Sequence, residues 1–106
     1  MPLWEHLVTT DFAALDKARV LAILPVAAIE QHGPHLPLGT DAILSDAILD
    51  RALARLAEPA SLLRRPTQRV GLSPEHAAFA GTLALPAATL LDAWAQIGLA
   101  VAAAGV

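Results

Sequence analysis

The hydrophobic pattern changes period along the chain. Residues 19–30, RVLAILPVAAIE, run apolar without alternation and include Val and Ile. Such a run predicts a central parallel strand with both faces covered. Pro25 lacks a backbone N–H and is expected to end or bend the ladder. Residues 41–57, DAILSDAILDRALARLA, switch to helical spacing. Leu44, Ile48 and Ala52 recur every four residues, and Ile43, Ala47 and Leu53 widen that face. Ser45, Asp46, Asp50, Arg51 and Arg55 fill the polar positions, and Pro59 follows the predicted stop. Strand, loop, then helix opens a βαβ unit. The expected class is therefore α/β, a parallel sheet flanked by helices in Rossmann-like layering.

The flanking segments fit this reading. Residues 9–18, TTDFAALDKA, predict a short helix capped by Thr10 or Asp11, with Phe12 and Leu15 on one face. Trp4 reads as a packing residue and His6 as a surface one. Residues 61–73, SLLRRPTQRVGLS, predict a second, weaker strand interrupted by Pro66, and residues 74–86 a loop with a short strand near its end. From Pro86 to about Ala104 the pattern is helical, with Gly105 as a C-terminal stop. A helix in an α/β fold normally returns the chain to another parallel strand. The 106 residues are thus expected to be the first part of one larger domain.

Composition narrows the partners. The chain is 56% hydrophobic before its 6 glycines are counted, against about 45–50% for soluble domains with glycine included. A membrane span, an oligomer interface or an absent covering half would each explain that excess. Residues 87–106 are the most span-like, yet they contain Asp92 and Gln96, and a mid-span Asp is costly. A net charge of −3 with no basic stripe argues against nucleic acid. The absence of cysteine removes disulfides and thiolate ligands and suits a reducing compartment, the cytoplasm. Residues 1–20 carry Glu5, Asp11, Asp16 and Lys17, and do not read as a secretory signal.

The candidate chemistry sits in residues 28–42, AIEQHGPHLPLGTDA. Glu30 and His32 are two apart, so an extended backbone points both to one side and Gln31 away. Pro34 and Pro37 stiffen the following loop, and Gly33 and Gly39 let it turn, so that Asp41 can return toward the strand end. Two carboxylates and an imidazole suit Zn²⁺ or Mn²⁺ better than Ca²⁺ or Cu(I). The plainer alternative makes Asp41 a helix cap and Glu30 and His32 a solvated strand end. His35, between two prolines, reads as a loop residue or an outer partner before a ligand.

LPVAAIEQHGPHLPLGTDA resembles the signature of the creatininase family, the creatinine amidohydrolase-like metalloenzymes. GLSPEHAAFAGTLAL, residues 71–85, is similar to the family's Gly-x-Ser-x-Glu-His … Gly-Thr stretch, and LWEHL near the start also fits. The resemblance implies a parallel-sheet α/β fold, a divalent metal site, and hydrolysis of a C–N bond in a cyclic amide, formamide or related substrate by a metal-activated water, some members acting on peptides. It implies metal ligands at Glu30, His32 and Asp41, with Asp41 bridging two ions, and Ser73 beside the substrate. It makes Glu75 and His76 wall or loop-ordering residues, and it implies a homo-oligomer, a hexamer in many members.

The sequence departs from the family in lacking the later Asn-Gly-His-Gly-Gly-Asn segment and a late Glu and His region. PTQRVGLS stands where an apolar segment with Pro and Tyr is common, and AFAGT lacks a proline before the Gly. Two readings compete with an enzyme: a non-catalytic module kept for metal binding or assembly, and a truncated product with no function of its own.

Overall fold

Two short parallel strands carry the fold, β1 at Leu21–Ile23 and β2 at Leu62–Arg64. Their register pairs Leu21 with Leu62, Ala22 with Leu63 and Ile23 with Arg64. The computed structural model describes residues 3–57 and 62–106. Pro59 and Ser61, named in the sequence reading, lie outside the described residues.

The long apolar run is regular only at its start. Pro25 ends the ladder as expected, although its carbonyl still accepts the Gln68 N–H at 2.9 Å. Pairing then continues as isolated bridges. Val26 pairs with Gln68 in parallel, and Ile29 pairs with Leu83 antiparallel. Gly71 bridges Ala84, and a Cβ at Gly71 would strike the backbone oxygen of Ala27. Only glycine permits that approach. The second strand is likewise broken by Pro66 into β2 and the bridges at Gln68 and Gly71.

Helix α1 spans Thr40–Leu53 and helix α2 spans Ala87–Ala103. Gly105 ends α2 in the left-handed conformation, φ 86°, and its N–H donates to Ala102 O at 2.9 Å. The segment 9–18 is a 3-10 helix at Thr9–Ala13. Asp11 does not begin it. From its third position Asp11 Oδ2 accepts the Val8 N–H at 2.9 Å. Trp4 packs as expected, 4.6 Å from the Phe12 ring and beneath the Arg65 guanidinium at 4.0 Å. Burial pushes the Arg65 pKa down.

Two expectations about burial fail. Strand β1 is not covered on both faces, and Leu21 is 66% exposed. The apolar stripe of α1 also points outward: Ile43, Leu44 and Ile48 are exposed. The helix instead turns Asp46 and Asp50 toward β2, where the buried Arg64 holds both carboxylates. Thr67 and Arg69 add hydrogen bonds to Asp46 at 2.5 and 2.6 Å. Ion pairs, rather than the apolar stripe, thus make the contacts of this helix face with β2. Among the described residues the buried apolar side chains are Ala42, Leu53, Leu63 and Leu90, a thin core. None of the described helices is long and apolar enough to cross a membrane.

Candidate metal centre

The loop between Glu30 and α1 closes on itself. Glu30 N–H donates to Leu38 O at 3.1 Å, so the chain leaves and re-enters at one point. Gly33 turns with φ 78°, a left-handed value that other residues rarely adopt. Gly39, by contrast, has φ −84° and needs no glycine for its backbone. Thr40 then fastens the start of α1, with its N–H and Oγ1 both donating to Pro37 O, at 3.1 and 2.6 Å. Gly39 occupies the helix cap position and no side chain caps it. Asp41 is thus not the cap of α1. Its side chain is free to face back toward the strand end.

It faces His32. Nδ1–H of His32 donates to the Glu30 carbonyl at 2.9 Å, and Nε2 lies 3.1 Å from Asp41 Oδ1. Donor atoms of Glu30, His32 and Asp41 all lie within 4.8 Å of one another. The Glu30 side chain is the most enclosed of the three, at 15% exposure. The His32 pKa is raised, first by the hydrogen bond to the Glu30 carbonyl, against a smaller opposing effect of burial, and then by Asp41. A cation between these groups would do what that proton does. The donor set fits a divalent ion: two carboxylates plus an imidazole whose second nitrogen is already held by a carbonyl, the usual support of a ligating histidine.

A second group forms on the other side of Glu30. Glu30, Glu75 and His76 also place donor atoms within 4.8 Å of one another. His76 Nε2 is 3.9 Å from Glu30 Oε2 and 3.8 Å from Glu75 Oε1. The antiparallel bridge of Ile29 to Leu83 draws the 74–82 loop, whose first residues Pro74–His76 form a 3-10 turn, against the strand end. Local spacing gave no signal for this approach, because His76 is 45 positions from its partner Gln31. Ser73, expected beside the substrate, is fully buried, and its hydroxyl has no hydrogen-bond partner among the described residues. His35 and His6 are exposed. A separate polar depression of about 410 Å³ is lined by Asp46, Asp50, Arg64, Arg65 and Arg69 among others, and by none of Glu30, His32 or Asp41.

A strand–loop–helix unit thus presents two carboxylates and an imidazole beyond the strand's carboxyl end, where α/β sheets bind ligands. The chain belongs to the creatininase family, described as creatinine amidohydrolase, whose pattern matches residues 5–106. It is similar to solved creatininases along 98% of its length: a manganese form at 28% identity and a Zn-Zn type mutant at 27%, each with a TM-score of 0.83. It spans 41% of those chains. A mycofactocin precursor peptide peptidase of Mycobacterium ulcerans (strain Agy99) is 33% identical over 96 residues, covering 85% of this chain and 38% of that relative. One from Mycolicibacterium smegmatis is 36% identical over 72 residues, covering 66% of this chain and 29% of the relative. The chain therefore spans well under half the length of the relatives it matches.

Proposed function

We propose that Glu30, His32 and Asp41 hold a divalent ion, Zn²⁺ or Mn²⁺, in a protein that hydrolyses the C–N bond of a small amide. The observation that carries this reading is the convergence of the three donors within 4.8 Å, at the mouth of a loop closed by the Glu30–Leu38 hydrogen bond. Solved relatives in manganese and zinc forms support either metal. A bound divalent ion supplies Lewis-acid charge that polarises a carbonyl and makes water available as a nucleophile near neutral pH.

The chain's own residues orient and select. The Glu30 carbonyl fixes the His32 ring by accepting from Nδ1, which turns Nε2 toward the site. Asp41, on the first turn of α1, offers two oxygens and would hold the divalent charge together with Glu30 and His32. We keep Ser73 as a substrate-side residue. Its buried, unpartnered hydroxyl is a donor left without use in the described chain. Ser73→Ala is expected to raise KM with kcat little changed. We also carry over assembly into a homo-oligomer, which sedimentation would measure.

The test is metal retention followed by turnover. The chain, loaded with Zn²⁺ or Mn²⁺ and dialysed, is expected to retain metal, and Glu30→Ala to retain none. A wild-type chain without retained metal would sink the reading. One observation favours a second substrate class: the curated relatives at 33% and 36% identity are named for a precursor peptide. Assaying creatinine, a formamide and a short peptide side by side separates small amides from peptide bonds.

A further inference from the structure

We propose that the polar depression beside β2 is a binding site for a small α-amino acid, with the ligand carboxylate held by Arg65 and its ammonium facing Glu5. The inference stands apart from the metal reading, because none of Glu30, His32 and Asp41 lines this depression.

The backbone fixes the anchor. Arg65 follows β2 directly, and its N–H donates to Ile23 O at 2.9 Å. Pro66 comes next and restricts the residue before it to an extended conformation. The side chain thus leaves a pinned backbone. It meets the Trp4 ring, 4.0 Å from the guanidinium carbon, and the Phe12 ring stands 4.6 Å from Trp4 in turn. Leu3 bridges Arg64, which brings Trp4 and Glu5 to the same strand.

A cation held this way lacks an anion. Arg65 is only 5% exposed, and its Nη2 is shut off from solvent with no hydrogen-bond partner among the described residues. A guanidinium presents five N–H donors and keeps its charge. The Trp4 face attracts that charge but supplies no carboxylate. Buried charges are otherwise paired. The acids of the depression are already engaged: Asp46 by Arg64 and Arg69, and Asp50 by Arg64.

The charge balance selects the ligand. Once those ion pairs are formed, the depression keeps one cation, Arg65, and one carboxylate, the exposed Glu5, which makes no ion pair with it. The planar guanidinium fork matches a carboxylate. A dianion such as phosphate brings surplus negative charge against Glu5, Asp46 and Asp50. A plain carboxylic acid uses Arg65 alone. An α-amino acid meets both remaining charges with its own. The depression, about 410 Å³, falls in the size range of small-molecule sites. Burial makes Arg65 the anchor, whereas Glu5, in water, adds only a preference.

The experiment titrates the metal-free chain with L-alanine, propionate and inorganic phosphate at constant ionic strength. Two readouts are used. One is Trp4 fluorescence in a Trp94→Phe chain, where Trp4 is the one tryptophan left. The other is the ¹⁵N–¹H guanidinium resonance of Arg65 in the wild type, which needs no substitution. L-alanine is expected to give a saturable change in both. Propionate should bind about twofold to fivefold more weakly, the worth of an exposed charge pair. Glu5→Gln, a surface change, should bring L-alanine down to the affinity of propionate. Arg65→Lys keeps the charge and loses the fork, and should weaken both ligands about 10–100-fold. No saturable change with either carboxylate overturns the site. Binding that leaves the Arg65 resonance unmoved overturns the anchor, even if Arg65→Lys fails to fold. Equal affinity for L-alanine and propionate, or no effect of Glu5→Gln, overturns the amino-acid class. Phosphate binding more tightly than L-alanine overturns the charge balance.

Discussion

Two polar clusters sit on α1, one at each end of its first three turns, and they are built on opposite principles. The cluster of Asp46, Asp50, Arg64 and Arg69 sets two carboxylates against two guanidiniums, and Thr67 takes a further Asp46 lone pair. Its charges close on one another. The cluster of Glu30, His32 and Asp41 sets two carboxylates around one imidazole, and the Glu75 carboxylate stands nearby. Among the described residues its carboxylates outnumber the imidazoles beside them. A self-neutral cluster stabilises a packing arrangement, whereas an acid-rich one near a strand end has the donors to hold a cation, as proposed above. On the proposed reading, the difference separates structure from function within one helix, using residues of the same type.

Substitutions should break this symmetry in opposite ways. The largest effect is expected from Glu30→Ala, with metal affinity falling by more than about 100-fold, beyond the range seen for outer partners. Thermal melting of the metal-free chain should barely move. Arg64→Ala is the mirror experiment. It strands Asp46 beside a buried position and should cost about 1.5–3 kcal/mol, the range for hydrogen bonds to charged groups. Denaturant unfolding would read that loss, with metal affinity unchanged. If Arg64→Ala abolished metal binding instead, the two clusters would be one unit and the comparison would collapse.

Arg69→Ala should do much less, about 0–1 kcal/mol, because this guanidinium is half exposed and screened by water. The smallest effect is read as a sign. The folded chain raises the His32 pKa above its ordinary value, so the stabilisation from its proton is complete below the unfolded pKa. It is lost as pH rises through the folded pKa. A bound ion displaces the proton, so metal affinity should instead grow over the same window. Melting curves across that window, with and without Zn²⁺, should slope in opposite directions.

Much of the site was legible in the sequence because it is local. The Glu-x-His spacing, the prolines and the return to Asp41 all act within residues 28–42, and the loop closes as that spacing allows. The stops at Pro25 and Gly105 were legible for the same reason, being covalent properties of single residues. Other features failed where distant groups decide. The apolar stripe of α1 predicted its own burial, but of its large residues Leu53 alone is buried, and Arg64, eleven positions past the helix end at Leu53, pairs with Asp46 and Asp50 instead. Strand lengths were overread because Pro25 and Pro66 leave bridges in place of ladders. Asp11 works from inside its turn rather than at its start. His76 reaches Glu30 through an antiparallel bridge that no periodicity announces.

The hydrogen bond from Glu30 N–H to Leu38 O has one more consequence. The backbone of this residue fastens the loop, while its side chain supplies a donor to the site. The two tasks are carried by different atoms of one amino acid. Any side-chain replacement at position 30, proline excepted, can therefore remove the proposed ligand while the clasp still holds. Evolution, or an experimenter, can silence this centre with a single change and keep the loop that displays it.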